Sequence, residues 1–279
     1  MKIEIAILLA TYNSSKYLEE QLDSLFSQTY SFWTLYVRDD CSSDNTISIL
    51  NKYIAKYPSK IVLLDNHNTR LGAYLNFTTL LKEVNSEYYM FCDHDDVWLD
   101  NKIENTVACM DEVEKSNSSI PLLIHTDMIV VDKNLEITNP SFWQSSRLFP
   151  DLNSFKDLVA CNCVNGCTML FNKLARDAAI NNIDNCLMHD VLLAETVASN
   201  SGVIYALKEA TVLYRQHGNN VLGAPEVGVN YIFEKIIHFS YVIKNNIKVW
   251  RMACKIHPYP FVVYLFYKLK IQILRLSRI

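Results

Sequence analysis

The sequence of 279 residues lacks the glycine motifs with which many α/β proteins hold phosphate groups. No GxGxxG follows the first predicted strand, and no GxxxxGK[ST] occurs anywhere, which argues against a dinucleotide-dependent oxidoreductase and a P-loop enzyme. The segment ATYNSSKYL (10–18) after that strand also has no glycine to hold a triphosphate. A nucleotidyltransferase is therefore disfavoured as well.

Paired metal-ligand motifs are also missing. No CxxC occurs among the eight cysteines, and no two of the seven histidines form an HxH or HxxxH pair, which disfavours a hydrolase with several histidine ligands. The segment CNCVNGC (161–167) leaves a metal cluster open, but a strand with Cys161 and Cys163 on one face is favoured because strand side chains alternate. Since no secretory signal opens the sequence, we expect a reduced, cytoplasmic protein.

Positive charge is scarce except near the end of the sequence. The net charge is −4, so we expect no nucleic-acid partner. Residues 231–279 contain nine Lys or Arg and one acid, a net charge of +8, which leaves −12 on the remainder. This asymmetry predicts a catalytic domain over 1–225 and a basic, amphipathic helical extension over 226–279.

The role of this extension remains open between three alternatives. Its longest apolar run, FVVYLFY (261–267), is far shorter than the roughly 20 residues of a membrane-spanning helix. A basic amphipathic segment suits the surface of an anionic membrane, where the protein would be peripheral. It would equally form a helical pair packed on the domain, or a contact between two copies in a homo-oligomer.

Apolar strands and amphipathic helices alternate along the first hundred residues. The run in IEIAILLATYN (3–13) is typical of a buried parallel strand. Further strands are predicted within 32–40, 60–66 and 88–96, with helices within 42–58 and 76–85. We therefore predict an α/β fold with a doubly wound, mostly parallel sheet.

The second half predicts a less regular series of elements. Helices are expected at about 101–116, 151–160 and 188–199. Strands are expected within 121–132, 164–172, 202–209 and 211–218.

Polar clusters follow three of the predicted strands: Thr11–Asn13, Asp39–Asp40 and Asp93–Asp96. The carboxyl ends of strands in open α/β sheets border the ligand crevice, so these clusters should meet there. Crowded carboxylates repel one another, and the cluster FCDHDDVW (91–98) therefore needs a divalent metal or a basic side chain. Their convergence argues against a simple solvated loop.

With these residues placed, the sequence over 1–224 resembles glycosyltransferase family 2, which has the GT-A fold and uses nucleotide-sugar donors. The resemblance rests on TYN (11–13), RDDCSSDNT (38–46), DHDD (93–96) and YRQHGNNVLG (214–223). NGCTMLFN (165–172) and YRQHGNN are similar to a rhamnosyltransferase-like branch of surface polysaccharide synthesis.

The resemblance implies roles for the residues in the first two motifs. Thr11, Tyr12 and Asn13 would hold the base and ribose of the donor nucleotide. Asp40 would share this role, and Asp39 is the less favoured member of the acidic pair. Arg70 would either approach the diphosphate or base, or remain solvated.

The acidic cluster is implied to be the DxD motif and metal site. Asp93 and Asp95 would form the motif, and Asp95 with Asp96 would bind Mg²⁺ or Mn²⁺ between the donor phosphates. Carboxylate oxygens are the ligands that these ions prefer. His217 would be a further metal ligand or contact the leaving phosphate.

Asp190 matches the position of the catalytic base in the family. The common pattern there is Glu-Asp, whereas this sequence has His189-Asp190, so the residue that tunes the base differs. Asp127, expected at the end of a strand beside the site, is the reserve candidate. The remaining candidates for acceptor binding or support are Gly166, Cys167, His189 and Arg215.

Together these expectations describe a metal-dependent, inverting glycosyltransferase. It would move a sugar from a UDP- or dTDP-sugar to a saccharide or a lipid-linked saccharide in cell-surface polysaccharide synthesis. Its place would be the cytoplasm or the inner face of the cytoplasmic membrane. A non-catalytic nucleotide-sugar-binding subunit and a nucleotidyltransferase are the alternatives.

Overall fold

A computed structural model describes residues 3–185, 188–218 and 239–277. Its first half alternates strands and helices, as the sequence predicts. The elements are β1 (Ile5–Thr11), α1 (Leu18–Phe26), β2 (Trp33–Asp39), α2 (Thr46–Lys56), β3 (Ile61–Leu63), α3 (Ala73–Glu83) and β4 (Tyr88–Cys92).

The second half has shorter and less regular elements. They are β5 (Val97–Trp98), α4 (Lys102–Ser116), β6 (Leu122–Val131), β7 (Ile137–Asn139), α5 (Phe142–Ser145), α6 (Phe155–Ala160), β8 (Leu170–Asn172), α7 (Lys173–Ile180), α8 (His189–Ser199), β9 (Val203–Arg215), α9 (Phe239–Ile256) and α10 (Phe261–Leu276). Short 3₁₀ turns lie at Gly166–Thr168 and Ile183–Asn185.

The strands form one nine-stranded sheet in the order β3-β2-β1-β4-β8-β6-β9-β5, and β7 pairs with β6. β1 to β4 are parallel, and β8 is antiparallel to both β4 and β6, so β6 and its parallel neighbour β9 run in the direction of β1. Six strands therefore share one direction, and the predicted mostly parallel α/β sheet is confirmed.

β1 lies inside the sheet between β2 and β4, and all seven of its residues are buried. A strand covered in this way needs apolar side chains in both directions, which explains the unbroken run IAILLAT. The parallel register pairs Thr11, the last residue of β1, with Asp39, the last residue of β2. Two of the predicted polar clusters therefore begin side by side.

Two predictions about the second half were wrong. The segments 202–209 and 211–218 contribute to one strand, β9, whose register with β6 shifts on both sides of Asp127. The predicted strand over 164–172 is limited to Leu170–Asn172, and Cys161 and Cys163 do not lie on a strand. Asn162 bonds the backbone N–H and C=O of Val164, and this local turn replaces strand pairing.

The helices α9 and α10 pack on the remainder of the protein. Ala253, Tyr259 and Tyr264 form an apolar cluster with Phe155 and Val159 of α6. Residues 239–277 therefore form a helical pair packed on the domain, the second of the three alternatives. Contacts with a membrane or with a second copy remain predictions. The predicted boundary near 225 and residues 219–223 of the last motif lie outside the described residues. In the described part of the chain, no helix is long and apolar enough to span a bilayer.

Candidate active site

The loop after β1 and the loop after β2 are joined by hydrogen bonds. Thr11 Oγ1 donates to Asp39 Oδ1 over 2.8 Å, and the backbone N–H of Ser42 donates to Asp39 Oδ2 over 2.7 Å. Asn13 continues the connection, because its side-chain oxygen accepts the N–H of Ser43 at 2.9 Å. The first two sequence motifs therefore form one polar wall at the carboxyl edge of the sheet.

Asp40 organises the neighbouring loop. Its buried carboxylate pairs with Arg38 at 3.2 Å and accepts the backbone N–H groups of Leu71 and Gly72, each over 2.7 Å. These contacts hold the loop that carries Arg70 against the end of β2. Asp40 therefore shapes this side of the crevice through its own internal bonds.

Arg70 and Tyr12, which the sequence places in separate motifs, meet above this edge. The centre of the guanidinium lies 3.9 Å from the centroid of the Tyr12 ring, and Arg70 is exposed. Stacking on an aromatic face limits the freedom of an exposed arginine and leaves its N–H groups available to an anion. Of the two expectations for Arg70, this geometry favours the one that directs it to a ligand.

The turn after β4 carries the three aspartates in different environments. Asp93 and Asp95 are half-buried, whereas Asp96 has no exposed surface and its Oδ1 accepts the backbone N–H of Arg215 at 3.1 Å. His217 Nε2 lies 2.8 Å from Asp95 Oδ2. The structure thus brings His217 of the YRQHG segment next to Asp95 of the DHDD segment, as the metal-site prediction requires. Asp96 instead lies behind the turn, where it bonds the backbone of Arg215.

Burial and neighbouring carboxylates raise the pKa values of Asp93 and Asp96. Burial, with the charges of Asp95 and Asp190, raises the pKa of Asp93 to about 7. Burial, followed by the charges of Asp95 and Asp93, raises the pKa of Asp96 well above its usual range. The anionic form of the cluster is therefore unfavourable without a further cation.

Arg215 supports this turn from beneath. It is buried, its Nε donates to the backbone oxygen of Asp95 over 2.8 Å, and its guanidinium lies 4.4 Å from the ring centroid of Tyr17. The same guanidinium forms an ion pair with Glu20 of α1. Among the acceptor or support candidates, Arg215 has the contacts of a supporting residue.

Asp190 lies in the first turn of α8 and is buried. Burial raises its pKa to about 6, although hydrogen bonds from backbone N–H groups, including those of Val191 and Gly166, oppose the shift. Its charge contributes to the raised pKa of Asp93. The candidate base and the acidic turn are therefore neighbours, and a carboxyl group with this pKa is suited to accepting a proton near neutral pH.

His189 supports the site from the apolar side. Its ring stacks on Phe77 with centroids 4.0 Å apart and meets Phe91 edge-on at 4.6 Å. Burial lowers its pKa to about 3, so the ring is neutral. A Cβ on Gly166 would lie 2.6 Å from His189 Nε2, which explains the glycine. The ring thus fills an aromatic slot beneath the loop that holds Asp190.

Asp127 was expected at the end of a strand. In the structure it lies within β6. Its carboxylate accepts the backbone N–H groups of Met128 at 2.8 Å and Trp143 at 3.0 Å, and also the hydroxyl of Ser141. These bonds attach α5 to the bulged strand. A carboxylate engaged in this way is poorly placed to accept a substrate proton.

The chemistry of the acidic turn fits a hard divalent cation. Ligand atoms of Asp93, Asp96 and Cys167 lie within 4.8 Å of one another. Mg²⁺ and Mn²⁺ prefer carboxylate oxygen, whereas a thiol suits softer metals, and burial raises the pKa of the Cys167 thiol well above its usual range. Asp93 and Asp95, which retain exposed surface, with His217 beside them, therefore form the better donor set for an ion shared with a ligand in the crevice.

A buried cation near the acidic turn was missed from the sequence. Lys102 has no exposed surface, and its Nζ lies 4.6 Å from the Trp98 ring centroid, within the electrostatic influence of Asp96. Burial lowers its pKa to about 8. Lys102, Thr106 and Met110 are four residues apart and lie on the buried face of α4. This helical spacing is the feature of the sequence from which the burial of Lys102 could have been predicted.

Glu195 is a second missed group. It lies on the buried side of α8, where burial and the charge of Asp190 raise its pKa to about 8. No motif in the sequence marks it. It extends the group of acids at the crevice into the helix that carries the candidate base.

Comparisons with known proteins identify the family of this chain. The sequence model of the family described as "Glycosyl transferase family 2" matches residues 6–178, more than half of the chain. The chain is 31% identical over 229 residues to the dTDP-rhamnosyl transferase RfbG of Shigella flexneri, covering 77% of this chain and 74% of that protein. A shorter match, 35% identical over 106 residues, covers 38% of this chain and 40% of the UDP-Glc:alpha-D-GlcNAc-diphosphoundecaprenol beta-1,3-glucosyltransferase WfgD of Escherichia coli.

A solved structure shows the same fold. The crystal structure of Staphylococcus aureus TarS 1-349 in complex with UDP-GlcNAc superposes with a TM-score of 0.64 at 19% identity, covering 99% of this chain and 73% of that one. The predicted GT-A fold is confirmed by this likeness.

Proposed function

This chain belongs to glycosyltransferase family 2, and we propose that it transfers a sugar from a UDP- or dTDP-sugar to a hydroxyl group of a saccharide or lipid-linked saccharide. The proposal rests on the proximity of Asp190 to the acidic turn. The charge of Asp190 helps to raise the pKa of Asp93. A base and a cation site so close together suit a reaction that removes a proton at one point and stabilises an anionic leaving group at another.

The donor nucleotide would bind along the wall formed by the first two motifs. Thr11, Tyr12 and Asn13 line this wall, and Asp39 and Asp40 hold its loops through internal bonds. Arg70, stacked on Tyr12, would contact the diphosphate. The names of the two relatives include a dTDP-linked and a UDP-linked sugar, which supports these two nucleotides as the donors to test first.

A divalent ion, Mg²⁺ or Mn²⁺, would be held by Asp95 and His217 with Asp93 beside them. When bound, such an ion stabilises negative charge on the departing diphosphate as a Lewis acid. Asp96, predicted as a ligand, would act from behind through its bond to the backbone of Arg215. Lys102 and Arg215 would keep the turn in place when the ion is absent.

Asp190 would act as the general base. Its carboxylate would take the proton of the acceptor hydroxyl as that oxygen forms a bond to the anomeric carbon. The bond between this carbon and the donor diphosphate breaks in the same displacement, so the configuration would invert. The hydrogen bonds from Val191 and Gly166 would fix the orientation of the carboxylate, and Cys167 and His189 would fix the loop around it.

The acceptor would be a saccharide or a lipid-linked saccharide at the cytoplasmic face of the membrane. The WfgD relative carries a diphosphoundecaprenol-linked sugar in its name, and the RfbG relative is a rhamnosyl transferase. Transfer of a deoxyhexose or hexose during assembly of a cell-surface polysaccharide is the reaction that these similarities support.

A thermal-shift screen of nucleotide sugars with and without Mn²⁺ tests this proposal, because a ligand that binds the folded state raises the melting temperature. We expect a UDP- or dTDP-sugar to stabilise the protein more in the presence of Mn²⁺. Asp95→Asn should lose the ion-dependent part of the shift. Nucleotide binding without an effect of the ion, and without transfer or donor hydrolysis, would instead support a non-catalytic binding subunit.

A further inference from the structure

Helix α10 presents a row of large apolar side chains to solvent. Their relative exposures are Val262 70%, Leu265 44%, Phe266 65%, Leu269 61%, Ile273 56% and Leu276 49%. The spacings of three and four residues place all six on one face of the helix. We call these six residues the apolar stripe.

The other side of α10 is already packed on the protein. Tyr264, Ile271 and Arg275 are buried there. Lys268 Nζ donates to the backbone oxygen of Ala160 over 2.6 Å, and Lys270 pairs with Asp157 at 3.0 Å. The domain therefore occupies the inner face of α10, and the apolar stripe points away from these contacts.

Helix α9 presents a row of cations to solvent. Lys244, Lys248, Arg251 and Lys255 are all exposed, and their spacings of four, three and four residues place them on one face. Ala253, on the opposite side of the helix, is buried in the cluster shared with α6. We call these four residues the basic stripe.

The positive charge of residues 239–277 indicates which partner would bind the apolar stripe and the basic stripe. Residues 239–277 contain seven Lys or Arg and neither Asp nor Glu. A second copy of the chain in a two-fold contact would bring identical cations together, which opposes association. An anionic lipid surface offers both requirements, since its headgroups attract the cations and its acyl boundary takes up apolar side chains.

We propose that α9 and α10 dock the enzyme on an anionic membrane surface, with the apolar stripe inserted at the acyl boundary and the basic stripe among the headgroups. The chain outside residues 239–277 carries a net charge of −11 and is repelled by such a surface. This repulsion would turn the acidic catalytic domain toward the cytoplasm. The proposal goes beyond the transferase reaction and does not depend on it.

Cosedimentation of the full-length chain with vesicles tests the docking without nucleotide or acceptor. The vesicles contain phosphatidylcholine alone, or equal parts of phosphatidylcholine and phosphatidylglycerol. We expect strong binding only to the mixed vesicles. Phe266→Ser with Leu269→Ser should lower the partition coefficient at least about tenfold, because both side chains lose a favourable transfer from water. The matched control Ile137→Ser, at a site 63% exposed on β7, should bind like the wild type.

The cations are tested by Lys248→Gln with Arg251→Gln. We expect roughly tenfold weaker binding to the mixed vesicles, and a weaker dependence of binding on salt. Lys52→Gln with Lys56→Gln removes two exposed cations from α2 and should leave binding unchanged. Far-ultraviolet circular dichroism and thermal melting check that each variant is folded.

Equal binding to both kinds of vesicle, or unchanged binding of the Phe266 and Leu269 variant, would overturn the proposal. A wild-type dimer in sedimentation velocity that this variant dissociates, together with unchanged vesicle binding, would assign the apolar stripe to self-association. Nucleotide-induced thermal shifts are measured on the same variants. Normal shifts with lost vesicle binding would separate docking from donor binding, and a failure of the transferase proposal would leave the vesicle result intact.

Discussion

His217 Nε2 lies 2.8 Å from Oδ2 of Asp95, a residue 122 positions earlier in the chain. The contact joins the end of β9 to the turn after β4, and it places an imidazole beside a half-buried carboxylate at the edge of the crevice. Arg215, two residues before His217, donates its Nε–H to the backbone oxygen of Asp95 and its backbone N–H to the carboxylate of Asp96. The pair is thus held in position before any ligand arrives.

From the proposed ion site at Asp95 and His217, we expect His217→Gln to raise the Mn²⁺ concentration needed for half-maximal transfer by about tenfold or more. Asp95→Asn should lower transfer by about two or more orders of magnitude. A chelator should abolish activity of the wild type, and added Mn²⁺ should restore it. Initial rates against Mn²⁺ concentration measure all three effects.

His67→Gln is the matched control, since His67 also pairs with an aspartate, Asp65, but lies exposed on a surface loop. Its dependence on Mn²⁺ should equal that of the wild type. If His217→Gln and His67→Gln give the same curve, His217 has no part in holding the ion.

Asp190→Asn should reduce transfer by about 10²-fold or more while the protein stays folded, because the amide cannot accept the acceptor proton. The raised pKa of about 6 gives a direction for the pH profile. Below pH 6 the carboxyl group is protonated and cannot act as a base, so kcat/KM of the wild type should fall as the pH decreases through 6. Steady-state rates from pH 5 to 8 measure this.

The exposed Asp184 offers a control for this substitution, and Asp184→Asn should keep both the rate and the pH profile. Turnover of Asp190→Asn close to that of the wild type would remove Asp190 from the role of base. Asp127 would not be a natural replacement, since its oxygens bond Met128, Trp143 and Ser141.

Gly166→Ala should destabilise the protein by about 1–3 kcal/mol, the usual cost of overpacking. The new Cβ would lie 2.6 Å from His189 Nε2, and that ring cannot withdraw easily because Phe77 and Phe91 pack against it. The displaced loop would also move the N–H that Gly166 donates to Asp190, so transfer should fall too. Urea unfolding and steady-state rates measure the two effects.

The combination Gly166→Ala with His189→Ala tests the clash directly. Removing the ring frees the space, so the double variant should be more stable than the sum of the two single changes predicts. Gly218→Ala, where no atom of the described residues lies within 4 Å of the new Cβ, is the stability control. Additive free energies in the cycle would show that the ring and the glycine are not coupled.

Glu195→Gln should stabilise the protein at alkaline pH. Burial and the charge of Asp190 raise the folded-state pKa of Glu195 to about 8, above its value in the unfolded chain. The unfolded state therefore releases this proton first, and the wild-type carboxyl group loses relative stability as the pH rises from about 4.5 to 8. The glutamine removes this loss.

The stability gained by Glu195→Gln should be small near pH 4.5 and reach on the order of 4 kcal/mol by pH 8. Chemical unfolding at a series of pH values measures it. Glu136→Gln, at an exposed position, should show no such trend. A gain that is the same at every pH would mean that Glu195 titrates normally in the folded protein.

Local patterns were sufficient for the first half of the fold. The apolar run of β1 and the helical spacing in α2 each report on a few neighbouring residues, and both elements formed as predicted. The positions of Thr11, Asp39 and Asp93 at the carboxyl ends of their strands followed in turn, because parallel strands end at one edge of a sheet. The acidic turn and its need for a cation therefore follow from the order of residues along the chain.

The second half depended on contacts between distant residues. β8 enters the sheet antiparallel between β4 and β6, and β9 continues across a bulge that the sequence presents as two strands. The turn made by Asn162 overrode the alternation of Cys161 and Cys163, since a local side-chain bond competed with strand pairing. Such choices depend on which partners are near in space, and periodicity does not encode that.

The sequence by itself determined the alternation of strands and helices in the first half of the chain, the position of the carboxylates at the ends of the first strands and the basic character of the last helices. Tertiary structure decided that Asp190 lies beside Asp93, that Lys102 is buried behind the turn, and that six apolar side chains of α10 face outward. The physical reason is that hydrophobic periodicity specifies only which face of its own helix or strand a residue occupies. Which charge it meets, and which apolar face stays uncovered, follows only when the elements pack together.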